Sequence, residues 1–478
     1  MSSKTQKKIV IVGAGISGLA TAYYLLRSAE EKNIKIELQI YEAESRVGGK
    51  IVTEKMHGFI CEGGPNGFLD NKPWCLDLSK EIGLEKELYM SDEAAAKRYI
   101  YSGGILHKVP ESPGAFFRSP LLSVWGRLRV ALEPLMPRCP QGTDETIASF
   151  GRRRIGREAV EKLLDPMVSG VFAGDPEALS LSACFPRIAE LEREYGSLVR
   201  AMLALRRKAK KETDASKKSS GPAGPAGRLI SFRDGVETLI IRLLNIVGDE
   251  RVHTSTRIDN IERGTDGFTL NFENGNGHTP VTADVVVLAV PAFYARTILR
   301  NCDENIAEEL GGIPYAPMAV VCTGFSRASV SRAMDGFGFL VPHREKKQLL
   351  GSLWCSSIFP NRAAGNSVLM RNMAGGSRDI RTPFLEDEEL TTLTVEELRP
   401  IMGITGKPSF VKIFRWRNAI PQYVVGHKAR IERIEECLRT KHPGLFITGN
   451  AYHGIAMNDC VENAITTADK VIGYIHDS

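Results

Sequence analysis

An uncharged run of 18 residues near the start of the chain, Ile9–Leu26, carries its glycines in the pattern Gly13-Ala14-Gly15-Ile16-Ser17-Gly18. The length would suit a membrane span. The glycines point instead to a buried strand, a tight turn and a buried helix. Each glycine has a job in such a turn: one bends the chain, one lets a pyrophosphate approach the backbone, and one lets helix and strand pack closely. The helix N-terminus then faces the phosphate charge. A second strand, Ile36–Ala43, follows and brings Glu42 to its end. An acid there accepts hydrogen bonds from ribose hydroxyls and disfavours a 2′-phosphate. The opening therefore reads as a βαβ dinucleotide-binding unit.

Composition narrows the class. The chain has 478 residues, 43% hydrophobic and 25% charged, which suits a globular protein of two to four domains. Its net charge of +5 equals that of Arg206–Lys218 alone, with seven basic and two acidic residues. That run has no aromatics and leads into KKSSGPAGPAG, so 206–227 reads as a flexible basic linker, not a nucleic-acid surface. Nine scattered cysteines, without a C-x-x-C or zinc-ligand spacing, imply reduced thiols and no metal site. The polar start MSSKTQKK has no secretory character, so a cytoplasmic location is expected.

Residues Ser119–Met202 predict a mainly helical region, with Leu121, Val124, Leu128, Leu132 and Leu135 at helical spacing and Pro166 ending a later helix. Asp284–Pro291 predicts a strand buried on both faces. Short strands and turns fill 315–415, and the chain ends as strand, loop and a helix from near Met457.

Three segments carry a family resemblance. Glu42-Ala43-Glu44-Ser45-Arg46-Val47-Gly48-Gly49-Lys50 is similar to the E-A-x-x-R-x-G-G-[RK] signature of the flavin amine oxidase superfamily. Glu62-Gly63-Gly64-Pro65-Asn66-Gly67 resembles its E-x-G-P loop, which passes the flavin ring. Gly449–Cys460 resembles its C-terminal flavin loop. The resemblance implies non-covalent FAD held by Gly13, Ala14, Gly15, Ile16, Ser17, Gly18, Glu42, Ala43, Arg46, Gly49, Lys50, Gly64, Pro65, Asn66, Gly67, Ile258, Asn450, Ile455, Ala456 and Met457. Arg46 and Lys50 supply positive charge near the phosphates. Asp459 reads as a first-turn or capping acid, and His453 as a loop residue.

Further segments resemble protoporphyrinogen oxidases. These are Pro166–Pro176 with Leu179-Ser180, the hairpin Lys97–Pro110, and Trp416-Arg417-Asn418-Ala419-Ile420-Pro421-Gln422-Tyr423 with Gly426-His427. That resemblance implies an α/β fold: a Rossmann-like FAD-binding domain (1–85, 228–295, 410–478), a mixed-sheet substrate domain (86–114, 296–409) and an inserted helical domain (115–205). It implies a porphyrinogen oxidised by oxygen in three two-electron steps, with the Gly174 backbone at the reacting ring and Arg98 pairing with a propionate. Hydride goes to the flavin and a pyrrole proton to solvent, so no strong protein base is required. Arg98 and Phe359–Arg362 favour protoporphyrinogen over coproporphyrinogen. A related oxidase of other substrate, or a non-catalytic FAD and tetrapyrrole carrier, remains open. Apolar and basic residues in Phe116–Met136 suggest a peripheral membrane contact. Homodimerisation is left open.

Overall fold

The computed structural model describes residues 6–110, 112–140, 142–211, 227–265, 267–273 and 279–477. Lys7–Val12 forms a strand and Ile16–Glu31 the helix after it. The strand lies in a parallel sheet ordered Val252–His253, Ile36–Tyr41, Lys7–Val12, Val285–Leu288, Leu445–Ile447. Its alternate residues serve two cores. Ile9, Ile11, Leu38, Ile40, Val285 and Val287 pack with Leu19 and Leu25, with Leu239 and with Val461 of the C-terminal helix Met457–Asp477. Val10, Val12, Val286 and Leu288 pack with Ile261, Leu270, Ala295 and Ile434. Covering both faces is what a parallel sheet requires. Among the described residues, no helix is long and apolar enough to cross a membrane.

A seven-stranded mixed sheet stands beside this unit. Its order is Phe410–Pro421, Tyr315–Ser326, Ser367–Gly375, Leu349–Trp354, Gly338–Leu340, Arg98–Ser102, Ile105–Lys108. Tyr99, Val321, Phe339, Trp354 and Met370 fill one face. Val320, Cys322, Leu369 and Phe414 line the other, with Phe59 and Ala173 packed on them. The strand Phe410–Pro421 therefore sits in this sheet and not in the nucleotide unit. The reason is its register, which follows Tyr315–Ser326 along nearly its whole length.

The inserted region is helical, with two departures from expectation. Pro166 does not end its helix. Val160–Leu164 form a π turn in which the Asp165 N–H bonds Val160 O, and Asp165–Phe172 continues as an α-helix. The widened turn absorbs the proline whose missing N–H would otherwise break the ladder. Second, Leu198–Lys211 is helical, so 206–211 belong to a helix; 212–226 lie outside the described residues. The nine cysteines are free thiols.

Candidate active site

The glycine turn makes a cradle. A Cβ on Gly18 would lie 1.9 Å from Gly13 O, so helix and turn could not pack with any side chain there. A Cβ on Gly15 would meet nothing within 4 Å, and one on Gly449 would find only Ser17 Oγ at 4.0 Å. Space is thus kept open between the first turn of Ile16–Glu31 and the C-terminal loop. Gly48 N–H donates to Ala14 O at 2.8 Å, which draws the second glycine loop onto the first. The Glu42 carboxylate accepts from Ala14 N–H (2.8 Å) and Glu44 N–H (2.9 Å) and so ties the two loops together.

Two basic residues in this cradle differ. Lys50 Nζ is buried, donates to Ala419 O and lies 5.2 Å from the Tyr315 ring centre. Burial pushes its pKa down to about 8, a bias that a nearby phosphate or flavin charge would reverse. Arg46 places its donors on its own loop. Its guanidinium bonds Val47 O, Gly49 O and Ile51 O, so it shapes the glycine loop from within. Ile258 is buried in the core of the strand Ile258–Arg263, two residues beyond Thr256, whose N–H donates to Glu42 O.

The Glu62–Gly67 loop crosses between the sheets. A Cβ on Gly64 would lie 1.9 Å from Lys50 O. Arg371, buried on the seven-stranded sheet, donates to Glu62 O and Gly64 O. Trp416 Nε1 donates to Gly63 O at 2.8 Å. The Glu62 side chain turns inward to Thr53, Val236 N–H and Arg362, and burial raises its pKa against the pull of Arg362. Arg362 is itself fully buried on Phe232 O and Ser231, so the Phe359–Arg362 stretch is a support for this loop and not a substrate contact. Asn66 stands out. Both its amide atoms are buried without a partner, as is Thr448 Oγ1. Buried polar atoms normally have partners. Thr448 directly precedes Gly449 and Asn66 lies in the Gly64 loop, so the unpartnered groups belong to the loops that would hold FAD, and the donor set fits that cofactor.

The C-terminal loop is held from below. Tyr423 OH donates to Asn450 O at 2.7 Å and accepts from Gly454 N–H at 2.9 Å. His427 stacks on its ring at 4.0 Å. Ile455 packs on the helical region, Ala456 N–H is capped by Asp459, and Met457 is buried at the helix start. Asn458 bonds Cys75 N–H and Leu69 O, aligning the helix N-terminus with the Asn66 loop. A positive helix end suits an anionic flavin ring. His453 pairs with Glu435 on the surface, as a loop residue.

Gly174 follows the helix Asp165–Phe172. A Cβ on it would strike Gln422 Oε1 and Leu179, both at 2.5 Å. Gln422 Nε2 donates to Phe172 O, and Ser377 N–H to Ala173 O, each at 2.8 Å. Gln422 belongs to the Trp416–Tyr423 segment singled out above, whereas Ser377 and Arg378 had no local signal in the sequence, because their partners are distant along the chain.

Arg98 can be placed by register. It pairs in line with Gly338, then Leu353, Arg371 and Cys322. Residues directly opposite share a face. Arg98 therefore lies on the face that carries Arg371 and the Gly64 loop, three strand spacings or about 14 Å away. The next row on that face is Ile100, Leu340, Gly351, Met373. Helix Asp165–Phe172 lies on it, with Gly170 against Leu340. Arg98 and the Gly64 loop thus share one sheet face, part of which that helix covers.

Comparison with known proteins agrees with this geometry. A family model described as flavin containing amine oxidoreductase matches residues 16–472. Coproporphyrinogen III oxidase of Bacillus subtilis is 30% identical and the match covers 99% of both chains. The chloroplastic protoporphyrinogen oxidase of Oryza sativa subsp. japonica is 32% identical, over 98% of this chain and 88% of its own. A crystal structure from Exiguobacterium sp. 255-15, provisionally named protoporphyrinogen oxidase, superposes with a TM-score of 0.82 at 28% identity, covering 98% of this chain and 99% of that one.

Proposed function

The chain belongs to the flavin containing amine oxidoreductases and is an FAD-dependent enzyme; from that premise we propose that it oxidises protoporphyrinogen IX to protoporphyrin IX with oxygen as acceptor. The observation that carries the reading is that Arg98 shares a sheet face with Arg371, which holds the flavin loop at Gly64, about three strand spacings away. That span suits a flat tetrapyrrole, and an arginine fork at its far end suits a propionate. The chemistry that FAD supplies when bound is hydride acceptance, three times over, with oxygen reduced to hydrogen peroxide each round. The chain's own residues orient and shield. Gly64, Asn66 and Met457 hold the ring side of the cofactor, Gly174 brings bare backbone to the substrate face, and Arg98 fixes the far edge. The pyrrole proton leaves to solvent, and aromatisation drives the change.

A second reading, coproporphyrinogen III oxidation, is favoured by the end-to-end match to the Bacillus subtilis enzyme. Supplying each porphyrinogen in air and identifying the product by fluorescence and mass separates the two. Protoporphyrin from protoporphyrinogen at the higher kcat/KM is the expected result; preference for the four-propionate substrate would reverse the assignment.

We also propose a cytoplasmic enzyme with a peripheral membrane contact. Val124, Trp125 and Leu135 are 69%, 79% and 72% exposed, with Phe117, Leu128 and Leu132 beside them. Arg118 and Arg127 flank this stripe. Leu121 and Leu122, expected in the contact, are buried and belong to the core instead.

A further inference from the structure

Helix Asp165–Phe172 ends at Ala173, whose φ of +50° is left-handed. A non-glycine residue adopts that conformation only where its surroundings hold it. Here they hold the chain on both sides of Gly174. Phe172 O takes Gln422 Nε2 and Ala173 O takes Ser377 N–H. Beyond the turn, the Asp175 carboxylate accepts from Arg378 Nη2 at 2.6 Å and from Glu177 N–H at 2.9 Å. Arg378 Nη1 reaches the opposite end of the helix, at Asp165 Oδ1, and Asp165 Oδ2 accepts from His343 N–H at 2.8 Å. One guanidinium thus bridges the first residue of the helix and the residue after Gly174. It comes from the segment that directly follows Ser367–Gly375, the strand that carries Arg371 and Met373 on the substrate face. Burial disfavours the Arg378 charge, but its two carboxylates outweigh that, and Asp175 is correspondingly held below its ordinary pKa.

We propose that Arg378 is a positioning residue for the oxidation, setting the depth of the Gly174 backbone over the reacting ring by clamping Asp165 to Asp175. It does not touch the substrate, and the role rests on the porphyrinogen reading above. Three variants test it: Arg378→Met, Arg378→Lys and Asp175→Asn, each with FAD bound. FAD content, thermal midpoint, KM, kcat and the anaerobic rate of flavin bleaching by porphyrinogen are measured. Arg378→Met is expected to slow bleaching and kcat about tenfold or more, with FAD content retained and KM changed less than kcat. Lysine, which cannot hold both carboxylates in a planar fork, should recover part of the rate. Asp175→Asn should reproduce the loss, and the double variant should add little to it. A kcat within twofold of wild type in Arg378→Met overturns the proposal. So does a loss that follows FAD content or melting temperature and is not rescued by lysine. If Arg378→Met fails to fold, Asp175→Asn decides alone, since it leaves the Asp165 arm intact; a normal kcat there overturns the role. Wild-type flavin that neither porphyrinogen bleaches overturns the substrate reading and this proposal with it, whereas bleached wild type with unaffected variants overturns only the role of Arg378.

Discussion

Glu42 receives two backbone N–H groups, from Ala14 and from Glu44, and so stands at the junction of the two glycine loops. Glu42→Ala should therefore weaken FAD binding by about 1.5–3 kcal/mol, the worth of hydrogen bonds to a charged acceptor. Titration of apoprotein with FAD measures this, and an unchanged dissociation constant would remove Glu42 from the site. On the proposed reading, Arg98 acts on the substrate alone. Arg98→Ala should raise KM about tenfold to a hundredfold at an unaltered flavin spectrum, the loss of a bidentate pair of about 1.5–3 kcal/mol. A fall in kcat at constant KM would place Arg98 in the chemistry instead. His427 is a stability probe. Burial lowers its pKa to about 4 from 6.5. The unfolded chain then binds the proton more readily, so His427 erodes stability as pH falls below about 6.5, and the loss saturates below about 4. Melting curves of His427→Gln should be flatter than wild type across that window; parallel curves would contradict the assignment.

At the scale of elements, the nucleotide half was legible because its constraints are local. Gly13, Gly15 and Gly18 lie within six residues, and Met457 begins its helix where the loop chemistry predicts. Elsewhere the constraint is tertiary. Pro166 was misread because the π turn that accommodates it is set by packing, with Gly151 tight against Val160 and Leu164. Nothing in the sequence around Arg46 reveals that its own loop carbonyls lie in reach. Arg378 was invisible for the same reason. The exposed stripe on Val124–Ala131 was legible as a pattern, though periodicity could not tell that Leu121 and Leu122 turn inward. Trp125→Glu with Leu128→Glu should abolish flotation with anionic vesicles at low salt while leaving kcat unchanged. Flotation that survives the pair would move the contact elsewhere, and its absence in wild type would end the membrane proposal.

Across the whole molecule, the Gly64 loop links two sheets: the parallel sheet carries the FAD cradle, and the seven-stranded sheet carries Arg371 and Arg98 on one face. The helical insert packs on that face with Gly170 against Leu340. Since no cysteine stands in the C-terminal flavin loop ahead of its helix, acid precipitation should release all FAD into the supernatant; flavin in the pellet would show a covalent link. On the proposed reading, porphyrinogen delivers electrons to this flavin. Anaerobic mixing of the holoenzyme with protoporphyrinogen IX, followed by absorbance near the flavin maximum, decides it. Full bleaching is expected as porphyrin fluorescence rises, with recovery of the yellow colour on admitting air. A flavin that stays oxidised beside excess porphyrinogen, of either kind, would contradict it.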